Sequence, residues 1–401
     1  MEFVQLIPIS EVRKHATSAD CWIVVEDQVL DVTDFAELHP GGPSLLHKYA
    51  GRDATKAYLE YHALSLIKDN LPLNAFRGNL DRSTTDSQWA QNPSSISSVS
   101  QNPTQTRPDD EKPNLQSIIN LYDFEEVAAR FASKKTYAFY STAATDCWTR
   151  DMNESIYKRI WFRPRVLRDV SQIDTSTTIL GTSVKMPLFI CPTGLARMIN
   201  PEAEKGLARA AKSTGIIEIL STSASHPLED IVEQALGHPF FFQLYVNKNR
   251  KKSEELIAKV ERLGFKAIFV TVDAAGRGKR ESDERLVVDE LVINPVTGER
   301  VVTDKKGGGL TRAMGSYFDS SLKWEDLAWI RSLTKLPIVL KGITTAADAQ
   351  LAMKYKVDGI LLSNHGGRNL DYSPPAVLLL LEMHKNCPEV FDQMEVYVDG
   401  G

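Results

Sequence analysis

The chain of 401 residues is 42% hydrophobic and 25% charged, with a formal net charge of −5. That length is too great for one ordinary core and predicts two domains of a soluble globular class. No run approaches the roughly 20 apolar residues that span a bilayer, and the acidic balance leaves no global footprint for nucleic acid. The charge is uneven: residues 1–80 carry seven Lys/Arg against eleven Asp/Glu, so the N-terminal part holds most of the excess. An acidic module suits a basic partner, and a solvated acidic face is the plainer reading.

The four cysteines, Cys21, Cys147, Cys191 and Cys387, form no C-x-x-C pair. Their scatter favours a reducing compartment and argues against disulfide, iron–sulfur or zinc frameworks. The N-terminus MEFVQLIPISEVRKH lacks the apolar stretch of a signal peptide and the Arg/Ser-rich character of a mitochondrial presequence, so the cytoplasm is the expected compartment.

In chain order, residues 1–81 show short strand-like runs (CWIVVED, QVLDVTDF) and short helical patterns. Residues 82–114 are rich in Ser, Thr, Gln, Asn and Pro, with Trp89 their only aromatic side chain. Such a stretch buries too little to offset its ordering entropy and reads as a flexible linker. Residues 115–401 open with helical signals (LQSIINLYDFEEVAARFAS). From Met186 they change to seven short apolar runs: MPLFICPTG, EILSTSA, FFFQLYV, AIFVTVD, PIVLKGI, GILLSN and EVYVDGG. Apolar runs without alternation are strands buried on both faces, and the helical stretches between most of them predict parallel β/α units. A doubly wound sheet and a barrel both fit. Polar residues end most runs (Thr193, Gln243, Asp273, Lys341, His365, Asp399), and no G-x-G-x-x-G or Walker A string occurs, which favours the barrel.

His39 lies in the turn string LHPGG, and His62 follows 23 residues later in EYHAL. Two neutral imidazoles from opposite walls of a cleft make a six-coordinate haem site suited to electron transfer. On spacing alone, two unrelated histidines would be the commoner case. The surrounding string, KHATSADCWIVVEDQVLDVTDFAELHPGG through DATKAYLEYHA, resembles the cytochrome b5 family over residues 7–80. The resemblance implies an α+β haem domain with haem b held by His39 and His62. His15 and His47 read as ordinary surface residues.

The second module carries SNHGGRNLD (Ser363, His365, Arg368), AIFVTVDAAG (Thr271, Asp273), FFQLYV (Gln243, Tyr245), CPTG (Pro192, Thr193, Gly194) and LSTSA (Ser221). Arg280, Lys341 in PIVLKG, and VDGG (Asp399, Gly400, Gly401) complete the set. Singly, a His-Gly-Gly is a tight turn and an Asp after a strand is a cap. Together they resemble the FMN-dependent L-2-hydroxy-acid oxidising family from about Leu115 onward, with an α/β TIM (β/α)8 barrel. With the haem module in front, the order of parts is similar to the flavocytochrome b2 family, which oxidises L-lactate and passes electrons to cytochrome c.

Oxidising R–CHOH–COO⁻ to the 2-oxo acid removes two protons and two electrons, which calls for a base, and His365 has a suitable intrinsic pKa. The resemblance makes Asp273 its orienting partner, Arg368 and Arg280 the carboxylate clamp, and Tyr245 the partner of the reacting hydroxyl. It makes Lys341 a neighbour of the flavin N1–O2 edge, and gives Gln243, Thr271, Ser221, Ser363 and Pro192–Gly194 to the flavin ring. Asp399, Gly400 and Gly401 are likewise assigned to FMN binding. It implies a homotetramer for the full-length form, and the mitochondrial intermembrane space as the alternative compartment.

Three departures from the family pattern stand out. The string TYAFYSTAATD has Phe139 where the family's first Tyr contacts the substrate carboxylate. Gly194 and Ser223 stand where many relatives carry larger groups, so a side chain bulkier than that of lactate is expected to fit. VYVDGG is the seventh barrel strand, which implies a barrel lacking its last strand and helices, with two open sheet edges and a weakened phosphate site. A haem-only electron-transfer protein with an FMN-poor barrel, and an oxygen-using 2-hydroxy-acid oxidase, are the competing readings.

Overall fold

The computed structural model describes residues 5–39, 43–62, 64–86, 89, 112–276, 278–286 and 315–400. Gly401, Pro40–Gly42 of the HPGG turn and residues 90–111 of the stretch read as linker lie outside the described residues. Two compact units divide the chain, the first ending at Tyr137 and the second beginning at Ala138.

The first unit holds a small mixed sheet of β1 (Leu6–Ile7), β2 (Ala16–Thr17), β3 (Asp20–Val25), β4 (Gln28–Asp31), β5 (Arg52–Asp53) and β6 (Phe76–Leu80). The order is β1-β6-β4-β3-β2, with β5 beside β3. β3 and β4 pair antiparallel from Trp22 opposite Asp31 to Val25 opposite Gln28. Alternation along β3 splits two cores. Cys21, Ile23 and Val25 face Leu30, Tyr49 and Ile67, whereas Val24 faces Ile7, Val12 and Leu80. Trp89 is buried in the second of these cores. Ile9 N donates to Thr84 Oγ1 (2.9 Å) and Arg13 forms a two-pronged pair with Asp86 (2.8 and 2.9 Å), so order extends past Arg82. His15 is no ordinary surface residue: its ring stacks on Trp22 at 3.6 Å and bonds Asp20. Later in this unit the helix Leu121–Phe131 starts at a capping box between Asn120 and Asp123.

In the second unit β7 (Thr177–Ile179) and β8 (Thr182–Val184) form a hairpin. The seven apolar runs become one parallel sheet: β9 (Phe189–Ile190), β10 (Ile217–Ser221), β11 (Phe240–Leu244), β12 (Ile268–Thr271), β13 (Ile338–Ile343), β14 (Gly359–Leu362) and β15 (Glu395–Val398). They lie in sequence order, and among the described residues β9 and β15 are the edges. Between successive strands run helices such as Ala203–Thr214, Arg250–Arg262, Ala346–Lys354 and Ala376–Asn386.

Both strand faces are buried, as the unbroken apolar runs require. Ile217, Ile219, Phe241, Phe269, Val339 and Leu361 share the inner core, while Leu220, Phe242, Leu244, Ile268 and Val270 meet the helices. This is the β/α barrel architecture, with seven strands described. No helix among the described residues is long and apolar enough to cross a membrane.

One strand residue breaks the apolar rule. Glu218 in β10 is 2% exposed and its Oε2 has no hydrogen-bond partner among the described residues. Burial, reinforced by the charge of Glu204, raises its pKa from 4.5 to about 9. Between those values the folded chain holds a proton that the unfolded chain has released, so stability falls as pH rises through this window. Glu218→Gln keeps the shape and removes the titration. It should stabilise the barrel unit by roughly 1–3 kcal/mol at pH 8 and by little at pH 4. Urea melts of both chains at the two pH values check this, and an equal effect at pH 4 and pH 8 would contradict it.

Candidate active site and haem site

In the first unit His39 follows the helix Thr33–Ala36, and His62 closes the helix Thr55–Tyr61, where its N–H donates to Tyr58 O at 2.8 Å. The helix ends aim the two rings at each other, with centroids 6.5 Å apart and planes at 78°. Phe35 packs edge-on against His39, and Tyr58 lies 5.0 Å from His62. The lining beside them is apolar, with Ile23, Leu30, Val32, Leu46 and Ile67. A metal bonded to one nitrogen of each ring at about 2 Å needs ring centres roughly 6 Å apart. The two imidazoles and their apolar walls therefore fit a haem iron with two axial histidines.

In the second unit the carboxyl ends of the strands surround a cavity of about 270 Å³. His365, Tyr245, Arg280 and Arg368 line it, together with Pro192, Thr193, Gly194 and Ser221. His365 Nδ1 lies 3.1 and 3.2 Å from the two Asp273 carboxylate oxygens. With Nδ1–H donated to Asp273, Nε2 is left as the acceptor, 3.2 Å from the Tyr245 hydroxyl. Burial pushes the Asp273 carboxyl up, but the charge and hydrogen bond of His365 and the charge of Lys341 outweigh it, holding it below the usual range. Burial also pushes the Tyr245 phenol well above its ordinary value, with the Asp273 charge adding to it. The phenol therefore stays protonated and can donate.

Of the two arginines at the cavity, Arg280 is buried and Arg368 half-buried. Burial and then the charge of Arg368 push Arg280 down to about 10, which leaves it charged at neutral pH. Arg368 donates to Tyr140 O at 2.5 Å, and the Arg280 guanidinium lies over the Phe139 ring at 5.9 Å. The Tyr140 hydroxyl is turned away, donating to Gly194 O at 2.9 Å.

The remaining residues assigned to the flavin form a hydrogen-bonded floor. Ser221 Oγ donates to Gln243 Oε1 (3.2 Å) and Gln243 Nε2 to Thr271 Oγ1 (2.8 Å). Lys341 Nζ donates to Ser363 Oγ (3.0 Å) and Asp399 Oδ2 (2.5 Å). Burial opposes the charge on Lys341, but Asp399 and Asp273 outweigh it and raise its pKa. Gly400 O accepts from the Asn153 amide.

Several groups here have capacity left over. Arg280 Nε, Ser223 Oγ and Asp399 Oδ1 are buried and have no hydrogen-bond partner among the described residues. Lys341 spends two of its three N–H donors. A cation, amide, hydroxyls and unmatched polar atoms around one cavity match a planar heterocycle with polar edges. The donor set fits FMN.

Sequence reasoning missed several residues that shape this site. Phe318 stacks on Tyr245 at 4.0 Å. Asn369 donates to Asp273 O at 2.8 Å, and Asn153 pairs with Asn364 beside His365. Asp371 accepts from Thr149 N and Asp146 N (2.8 and 3.0 Å); these and further hydrogen bonds outweigh its burial and bring its pKa to about 2. Asn364, Asn369 and Asp371 lie within the SNHGGRNLD string, which was the one available signal.

Residues 128–401 match the FMN-dependent dehydrogenase family, and residues 8–80 match the cytochrome b5-like heme/steroid binding domain. The chain is 36% identical to L-lactate dehydrogenase (cytochrome) of Saccharomyces cerevisiae over 412 aligned positions, covering 99% of this chain and 68% of that one. It is 43% identical to 2-hydroxyacid oxidase 2 of Bos taurus, covering 71% of this chain and 79% of the relative. The solved flavin-binding domain of baker's yeast flavocytochrome b2 is 38% identical, with a TM-score of 0.63 over 72% of this chain and 70% of that one. With the β/α unit, the acid–base pair and the facing histidines already in view, these matches assign the chain: it belongs to the FMN-dependent dehydrogenase family, with a cytochrome b5-like domain ahead of the dehydrogenase domain.

Proposed function

We infer that the chain oxidises an L-2-hydroxy acid of the lactate type to the 2-oxo acid and passes the electrons through a b-type haem to a one-electron acceptor such as cytochrome c. The single observation that carries this reading is the His365–Asp273 pair at 3.1 Å, facing a cavity also lined by the buried Arg280 and the half-buried Arg368. The chemistry supplied by bound FMN is two-electron acceptance with one-electron release, and that of a bis-histidine haem is one-electron transfer. In this reading the protein comprises a haem domain at 1–81, a linker at 82–114 and the dehydrogenase at 115–401.

The chain's own groups then divide the work. Arg368 and Arg280 bind the substrate carboxylate, where charge-assisted hydrogen bonds are strong because the guanidinium groups are already desolvated. Tyr245 hydrogen-bonds the substrate hydroxyl and sets it toward His365. His365 takes up a proton at Nε2, and Asp273 stabilises the imidazolium that results. Lys341 places positive charge at the floor, beside Gln243, Thr271, Ser221 and Ser363, which with Pro192, Thr193, Gly194, Asp399, Gly400 and Gly401 would hold FMN. His39 and His62 would hold the haem.

The 43% identity to a hydroxyacid oxidase supports a second reading, in which oxygen is the acceptor. The haem module favours the dehydrogenase, because it gives single electrons a way out. The expected assembly of the full-length form is a homotetramer, and the expected compartment is the cytoplasm or, alternatively, the mitochondrial intermembrane space. Light scattering of the loaded full-length form should give four chains per particle; a monomer at micromolar concentration would refute the tetramer.

The chain loaded with FMN and haem should lose its flavin absorbance and show reduced haem bands on adding L-lactate. A chain that binds haem but no flavin, with no response to lactate, would sink the enzyme reading, and peroxide matching substrate turnover would establish the oxidase. Because Gly194 and Ser223 leave room at the cavity wall, 2-hydroxyoctanoate and mandelate should also be turned over. A strict preference for lactate removes that part.

Phe139 brings no hydroxyl to the carboxylate clamp. Phe139→Tyr should lower KM for the hydroxy acid about tenfold with kcat little changed, as one added hydrogen bond to a charged group would do. An unchanged or raised KM in steady-state assays would show that this position does not meet the carboxylate.

A further inference from the structure

The turn that carries His365 is backbone-strained. His365, Gly366 and Gly367 follow one another at φ +57°, +63° and +70°, all left-handed, and only the last two are glycine. A side chain held in that region persists where its surroundings over-determine it.

The surroundings come from far away in sequence. Asn364 and Asn153, the latter in the helix Trp148–Ser155, form a closed amide pair: Asn364 Nδ2 donates to Asn153 Oδ1 at 2.7 Å, and Asn153 Nδ2 donates to Asn364 Oδ1 at 2.9 Å. Both residues are buried, at 3% and 4% exposure. The same Asn364 Oδ1 accepts Gly367 N at 3.2 Å, which closes the left-handed turn, and Asn153 Nδ2 also donates to Gly400 O in the turn after β15. One side chain on the helix thus ties two cavity loops together. The helix itself is seated on the turn. Gly367 O accepts Ala144 N at 2.9 Å, Asp371 accepts Thr149 N at 2.8 Å, and a Cβ on Gly367 would stand 2.8 Å from Arg150 N.

We propose that Asn153 is a positioning residue for His365, holding the left-handed turn through its amide pair with Asn364. The proposal rests on the assignment of His365 as the base. Without the Asn153 amide, Asn364 loses one donor and one acceptor contact and keeps Nδ2 on Pro374 O at 3.1 Å and Oδ1 on Gly367 N. Gly367 N still reaches Asn364 O at 3.0 Å, so the turn loosens for want of its brace to the helix. His365 then shifts away from Asp273 and Tyr245, while Arg280, outside the turn, stays in place.

The test compares the full chain, loaded with FMN and haem, with Asn153→Ala and with the milder Asn153→Ser. Turnover per bound flavin should fall about 10- to 100-fold in Asn153→Ala with KM changed less than about threefold, since displacement of a reacting group costs kcat rather than binding. Amide hydrogen exchange should speed up across residues 363–371 and stay unchanged in β11 and β12. Asn153→Ser should fall between wild type and Asn153→Ala in both readouts, and it carries the test if Asn153→Ala does not fold. Unchanged turnover per bound flavin, or lost turnover with unchanged exchange across 363–371, overturns the proposal. A wild-type chain that oxidises no 2-hydroxy acid would refute the function alone, and the exchange comparison would still decide whether Asn153 holds the turn.

Discussion

In a parallel ladder every strand delivers its carboxyl end to the same edge of the sheet, and the register then decides which side chains meet there. Ser221 stands opposite Gln243, and Thr271 opposite Lys341. The inner core below, from Ile217 and Ile219 to Phe241, Phe269 and Val339, makes that register expensive to change, because a slip of one residue would turn these side chains into the helix layer. Tyr245, Asp273, Ser363 and Asp399 lie one or two residues past their strand ends, so the same pairing sets their height as well. The cavity is therefore a property of strand register before it is a property of any one residue.

Charge at this edge is costly to bury and is balanced locally. Lys341 is held between Asp399 and Ser363, and its field helps keep Asp273 ionised beside His365. A buried ion pair is a poor source of stability but a good device for fixing geometry, since removing one member strands the other. The arginines differ: burial and the charge of Arg368 disfavour the cation at Arg280, and burial and the charge of Arg150 disfavour it at Arg368. An excess of buried positive charge is what an anionic substrate would relieve. The haem-binding unit instead presents two imidazoles at helix ends against an apolar wall.

Much of this was legible before any coordinates. Seven apolar runs became seven parallel strands, because burial on both faces leaves the same mark whichever sheet results. His39 and His62 stood out by their strings and do face each other. His365, Asp273, Tyr245, Arg280 and Arg368 were assigned through the family resemblance; four of them line one cavity, and Asp273 bonds His365 there. Asn153, Asn364, Asp371 and Phe318 were not found. Each is an ordinary residue type whose role lies in a partner elsewhere, and the bond from Asn153 to Asn364 spans 211 positions. Trp89 misled in the other direction: a polar, Pro-containing neighbourhood reads as linker, yet one indole supplies enough apolar surface to join a core.

The sequence by itself determined the strand–helix alternation, which depends on local composition and period, and through its resemblance to known families the division into a haem-binding and a dehydrogenase module and the candidate reactive side chains. Only the tertiary structure decided how the reactive groups are held. The left-handed turn at His365, the amide brace from Asn153, the tautomer set by Asp273 and the unpartnered Glu218 in β10 all depend on distances between residues far apart in the chain. Such distances are fixed by packing and register, which one position's identity does not encode.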